Sequence, residues 1–425
     1  LWHEQDYEDG VEVLKKLEGI ELEKNATELE RDFIEAVQIL FKQETEKKER
    51  DLAYAGFMEA LSKKYPDNHE VAAFYALSLL GSVPDGRDDE LYGKGAKIAL
   101  GILAENPEHP GALHYTIHSY DDPRNAALAL EAANAYSKVA PDASHALHMR
   151  AHIYVAMGMW DRVVDSNIDS YQASLNRMER KELGNDDSGY HAFHWLEYGY
   201  LQQDNREEAR KMVWDMQRYM NETPSPRARV HMVFLKGTYL TETDEWESDI
   251  ADIPVEISDL NISVRSQYNF LEGMKGYTAK DTVEMDRIIA VMQADIDRET
   301  YVQEFSSASL CSNVTRAEAT PSDIVTSKAR QQQLIALRED LAGRHDAAEE
   351  HLQKSIELQE SVSYSYGPPS IQKPTRELYA DWLAGMGRYK EAEAQYTLSE
   401  KAGPKRRLIT EGIENVSELL NDERS

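Results

Sequence analysis

Cysteine is almost missing from this chain: one thiol, Cys311, stands in 425 residues. A lone thiol excludes an intrachain disulfide framework and a cysteine-ligated zinc site. With no histidine near it in sequence, Cys311 is also a poor candidate nucleophile. Long apolar runs are missing too. No stretch approaches the ~18 consecutive apolar residues of a membrane span, so no spanning helix is expected. Positive charge is scarce: 47 Lys and Arg face 77 Asp and Glu, a net charge of −30. Phosphate backbones and anionic lipid surfaces would be repelled, which argues against nucleic acid as a partner. An acidic surface also serves solubility alone. The nucleophile elbow GxSxG, the Walker phosphate loop, the HExxH zinc motif and the dinucleotide fingerprint are all absent. GKGAK at 93–97 lacks the preceding strand and the spacing of a phosphate loop. No run alternates with period two, which removes the β-sheet as an organising element.

What is present is helical periodicity. Residues 27–42 place Leu29, Phe33, Ala36, Val37, Ile39 and Leu40 in helical phase, with Thr27 as N-cap. Residues 46–64 continue the pattern until Pro66, followed by 69–81 and 90–105. Paired helices then recur: 143–178, 189–219, and two C-terminal copies in which Gly343 precedes Ala348 and Gly387 precedes Ala392. A helix, a short turn carrying Gly or Asp, and a second helix opening on Ala is the tetratricopeptide scheme. The fold class expected is therefore all-α, an α-solenoid of degenerate tetratricopeptide-like helix-turn-helix repeats. We divide it into N-terminal repeats at 1–240, an acidic connection at 241–262 and C-terminal repeats at 263–425. The Ser/Thr-rich stretch 300–326 reads as a second connection, and the Tyr/Pro-rich 362–374 as an insertion on one face.

Histidine is concentrated. Eight of the thirteen lie within 109–198. His109 opens a Pro-Gly turn; the other seven fall in three groups. These are His114 and His118; His145, His148 and His152; and His191 and His194. Within each group the spacing is three or four residues, which sets a stripe along one helix face. All three segments would be the inner helices of successive repeats, facing one groove. Neutral imidazole is the commonest protein ligand for transition metals, and an i, i+4 pair can hold one ion from a single helix. Asp121, Asp122 or Glu197 could add a carboxylate. Such a donor set suits a divalent zinc, copper or iron ion without choosing among them. Tyr115, Tyr154 and Tyr198 could help line a polar ligand groove. The competing reading is structural: buried histidines satisfy tyrosine hydroxyls and carbonyls, and an Asp before Pro123 caps the next helix. Trp160 and Trp195 read as core packing.

HPGALHYTIHSYDDP, APDASHALHMRAHIYVAMGMWDRVVDSN and YHAFHWLEYGYLQ resemble the hallmark segments of a large bacterial group of tetratricopeptide-repeat proteins. KKYPDNHEVAAFYALSLLG and GPPSIQKPTRELYADWL match it too, so the resemblance runs from Trp2 to about Gly403. Arg150 departs from it, standing where the group more often has Pro. Related chains carry a further helix pair upstream of the residues matching Leu1 and Trp2. The group has no established general activity; the resemblance implies a fold.

The function expected is a scaffold that binds a small polar ligand, a peptide or a protein partner, with a His-lined metal or polar-ligand site in its groove. The alternative is a metal-dependent enzyme, a hydrolase or oxygenase, using the same histidines. Self-assembly through solenoid ends is a further expectation, with the amphipathic tail EGIENVSELLNDERS covering one end. The chain opens without Met, so an upstream segment that could carry a targeting signal is expected, and a periplasmic or secreted setting is favoured over the cytoplasm. In such a setting the sequons at Asn25, Asn221, Asn261, Asn313 and Asn415 would matter.

Overall fold

The structure, a computed structural model, describes residues 7–83, 86–305, 319–364 and 366–422, with the side chains of 303–305 left aside. Cys311 and Asn313 lie outside the described residues. Among these every regular element is a helix, and the chain divides into two compact units.

The first unit carries α1 (Tyr7–Lys15), α2 (Leu22–Asn25), α3 (Glu28–Leu40), α4 (Lys47–Lys64), α5 (His69–Gly81), α6 (Asp89–Glu105) and α7 (Pro110–Ser119). From α3 onward each helix packs on the next. Thr27 closes a capping box on α3: its hydroxyl accepts from Glu30 N–H, while the Glu30 carboxylate accepts from Thr27 N–H at 2.7 Å. Ala36, Leu40, Met58, Leu61, Val71 and Leu79 fill the core between α3, α4 and α5. α4 ends at Lys64, just ahead of Pro66, whose ring disfavours helix at the residue before it. His109 caps α7, its Nδ1 accepting from Ala112 N–H at 3.2 Å, with Pro110 in the first turn.

The second unit begins at Asp121. It holds α8 (Leu130–Val139), α9 (Ser144–Ala156), α10 (Trp160–Arg180), α11 (Tyr190–Gln202), α12 (Arg206–Glu222) and α13 (Pro226–Thr243). It continues with α14 (Ile262–Thr278), α15 (Thr282–Phe305), α16 (Pro321–Leu341), α17 (His345–Ser361), α18 (Thr375–Gly385), α19 (Tyr389–Glu400) and α20 (Arg407–Asp422). Sequential hairpins stack so that α11 also meets α13, and α14 meets α16. This is the degenerate helix-pair repeat expected for an α-solenoid. The turns inside the pairs share one backbone shape, with positive φ at Asp204 (55°), Gly343 (70°) and Gly387 (73°). That left-handed residue after a helix is why Gly or Asp recurs there. One core runs from Val164 on α10 to Leu420 on α20, so the tail helix packs its Ile409, Val416 and Leu420 into it.

Two irregular segments belong to this unit. Between α13 and α14 the acidic stretch buries Trp246, Ile250, Ile253, Val255 and Leu260. Its chain is pinned by a two-pronged Arg229–Asp259 pair and by Lys236 Nζ donating to Ile253 O at 2.9 Å. Asn261 is buried, capping α14 and donating to Asp323, so this sequon is closed to modification in the folded chain. The second segment, described at 362–364 and 366–374, crosses the inner helices as a strap. Gln333 donates to Lys373 O at 2.7 Å and Gln372 to Phe234 O at 2.8 Å. Gln372 lies directly on Gly237, where a Cβ would fall 1.9 Å from its Oε1. Among the described residues no helix is long and apolar enough to cross a membrane.

Candidate functional site

α9 supplies His148 and His152 one turn apart on a single face. α11, packed across α10, supplies His191 and Trp195 with the same spacing. One ring nitrogen from each of His148, His152 and His191 lies within 4.8 Å of the other two. The His148 ring centroid is 5.0 Å from that of His152 and 4.6 Å from that of His191. Trp195 is buried and wedges against all three imidazoles, with centroids 4.6, 4.5 and 5.4 Å from them.

The outer nitrogens of the two α9 histidines are held. Asn167 on α10 donates its amide N–H to Val163 O at 2.8 Å, which turns its Oδ1 toward His148 Nδ1 at 2.7 Å. An amide oxygen only accepts, so His148 Nδ1 carries the proton and Nε2 keeps a lone pair. That Nε2 is buried and has no hydrogen-bond partner among the described residues. His152 Nδ1 meets Asp121 Oδ2 at 2.5 Å, both side chains buried. The carboxylate accepts, again directing Nδ1–H outward and Nε2 into the cluster. An orienting carboxylate or amide behind each imidazole is the usual second layer of a metal site. Asp121 Oδ1 is a further buried acceptor without a partner among these residues.

Burial disfavours the charged form of two of the three imidazoles. Burial pushes His148 well below the usual imidazole range, reinforced by His191 and His152. His191 keeps an exposed edge, yet its desolvated ring nitrogens, with His152 and His231 nearby, bring it down to about 3. His145, one turn before His148, is lowered by burial and by His152. Three imidazoles whose ring nitrogens converge in this way form a donor set.

The other expected residues are distributed as follows. In the first unit, His114 and His118 pair at 3.0 Å between their Nε2 atoms, and Tyr115 stacks on His114. Asp122 caps the short turn after Pro123, accepting from the Arg124 and Asn125 N–H groups at 2.9 and 3.2 Å. Tyr154 turns to the opposite side of α9 and donates to Asn134 at 2.6 Å. His194 faces α13, meeting Thr238 Oγ1 at 2.9 Å, and burial pushes it well below the imidazole range. Glu197 is fully buried without a partner for either oxygen among the described residues. Burial, then the Glu242 carboxylate, raises it well above the usual carboxylate range. Tyr198 lies beside Arg406, whose Nη1 donates to its hydroxyl at 3.4 Å.

Three participants were not on the expected roster: Asn167, Trp195 and the strap. The strap sets Tyr366 5.8 Å from the His152 ring and lays Gly367 (φ 80°) on the Trp195 indole. Tyr364 is half-buried, and its hydroxyl is raised by desolvation and by Asp121. The strap therefore roofs the histidine cluster, 175 residues in sequence after His191.

No family model and no curated protein matches the sequence. Among solved structures, the human IFIT1 dimer with m7Gppp-AAAA is similar at 13% identity and a TM-score of 0.43. That alignment covers 98% of this chain and 78% of the other. The TPR domain of P58(IPK) aligns at 13% identity and a TM-score of 0.22, covering 99% of this chain and all of that one. Such distant likenesses say nothing about function.

Proposed function

We propose that the chain is a helical-repeat scaffold that binds one divalent transition-metal ion through His148, His152 and His191. The observation that carries this reading is His148 Nε2, a buried lone pair without a partner among the described residues, its tautomer fixed from behind by Asn167. Packing alone has no use for such an atom, since an unsatisfied buried acceptor costs ~1–3 kcal/mol. The donor set is three imidazole nitrogens with a carboxylate behind one of them, which suits zinc or copper, and iron less well. A tetrahedral ion with bonds of ~2.0–2.1 Å needs nitrogens roughly 3.3 Å apart. From the present spread of up to 4.8 Å, the rings close by a rotamer adjustment on His191, the one ligand with an exposed edge.

Three protein ligands leave a fourth position beneath the strap. That position favours a ligand-binding or metalloenzyme role over a closed structural site, which would use four. The test is metal analysis of untagged protein with titration of the metal-stripped chain by zinc and by cobalt, whose visible spectrum reports tetrahedral coordination. One equivalent is expected in the parent chain. His148→Ala/His152→Ala loses it, and His194→Phe retains it. Substoichiometric metal under every loading condition, or equal binding in the double variant, refutes the site.

A further inference from the structure

Strap residues, Gly367 and Ile371 among them, also line a cavity of 330 Å³ within the second unit. Val155, Trp160, Ile356, Ile371, Leu398 and Ile409 give it an apolar body. Tyr198 and Arg406 stand at its inner wall and Arg376 and Glu360 at another. The volume is about twice the roughly 150 Å³ of an engineered cavity that takes benzene, so it admits a molecule of about ten non-hydrogen atoms.

The charges in the wall are already matched. Arg406 donates to Glu242 at 2.8 Å and lies 3.2 Å from Glu377; Arg376 donates to Glu360 at 2.6 Å. A charged guest would be desolvated with no counter-ion left for it. What the inner wall offers is a donor held beside Arg406, whose own side chain is 2% exposed. The Tyr198 hydroxyl beside it receives a bond from Arg406, which leaves its own proton to give.

From this arrangement we infer that the cavity is a second binding site, for a small, uncharged, largely apolar molecule that presents one hydrogen-bond acceptor, such as a carbonyl, to the Arg406–Tyr198 wall. The inference does not depend on a metal at the histidines.

Octanamide, octanoate and octylammonium share one tail and differ in charge, so they decide the question. Each is titrated into the full chain, with saturation-transfer NMR and calorimetry as readouts. Octanamide binds one-to-one and at least about tenfold tighter than either ion. Leu398→Trp fills the cavity from a side chain that is 39% exposed, so the fold tolerates it. It weakens octanamide at least about tenfold. Ser370→Trp does the same from the strap side, an independent variant should the first misfold. Equal or tighter binding of either ion overturns the uncharged class. Failure of octanamide to bind up to its solubility limit, or binding unchanged in both variants, overturns the cavity as a site.

Discussion

Replacing Arg406 by Met probes the most heavily charged part of the interior. The guanidinium is buried between Glu242, at 2.8 Å, and Glu377, at 3.2 Å, both carboxylates themselves at most 2% exposed. Glu377 would keep a cation, since Lys373 Nζ reaches it at 3.1 Å. Glu242 would not. Burial already raises Glu242 despite Arg406, and without the guanidinium only the smaller influences of Gln202 and Arg407 still oppose that burial. Methionine replaces most of the aliphatic stem, so the loss is chiefly electrostatic. Breaking a buried pair from one side costs ~3–5 kcal/mol, unless the orphan takes up a proton. Protonating a carboxyl of ordinary pKa at pH 7 costs about 3 kcal/mol, and at pH 5 under about 1 kcal/mol. The deficit at pH 7 is therefore about 3 kcal/mol.

The sign of its pH dependence follows. A carboxyl raised in the folded state binds its proton more tightly there than when unfolded. The variant thus regains stability as pH falls toward the unfolded value and loses it as pH rises above that. Urea unfolding followed by tryptophan fluorescence measures this, because five of the six tryptophans lie in the second unit. The gap between parent and variant should narrow to about 1 kcal/mol at pH 5. Adding Glu242→Gln to Arg406→Met should restore most of the loss at pH 8. A gap below about 1 kcal/mol at pH 7, or one that stays constant across pH 5–8, refutes the reasoning.

Asp121→Asn leaves the His152 ring in place but removes the negative charge behind it. Metal affinity should fall about 10–100-fold in a competition titration with a chromophoric chelator, with the fold intact by circular dichroism. Gly367→Ala puts a methyl 2.1 Å from the Trp195 ring at a φ of 80°, so the strap must lift. Faster proteolysis between 362 and 370 and altered Trp195 emission are the expected signs, and an unchanged cleavage rate counts against the roof. The metal-free protein should lose stability as pH drops below about 6.5, because His148, His191 and His194 are held neutral when folded yet protonate when unfolded. Thermal melts at pH 8, 6.5 and 5.5 give the slope, and added zinc should steepen it.

How far the sequence could be read depended on whether the signal was local. The helices and turns are local: Thr27, Pro66, Gly343 and Gly387 each mark a backbone requirement met within a few residues. His148 and His152 step by four, which differs from a full turn by only about 40°, and they stay on one face. His191, His194 and Glu197 step by three, and each step lags the turn by about 60°. Over two steps the stripe rotates about 120° around α11. His191 therefore meets α9, His194 meets Thr238 on α13, and Glu197 enters the core beside Glu242. An apparent stripe of three was a spiral. The back of the site was not local at all. Asn167 sits in the mostly polar run Asp165–Asp169 with nothing to distinguish it, and it becomes a partner only because α10 packs behind α9. Tyr366 and Gly367 reach the cluster through the strap, whose course is fixed by Gln372 lying on Gly237 and by the carbonyls that Gln333 and Gln372 hold. Spacing along one helix names candidate ligands. What decides between ligand and packing residue is which atom lies behind each ring, and that atom comes from elsewhere in the chain: Asn167 from α10, Asp121 from the segment ahead of α8, and for His194 only a threonine hydroxyl.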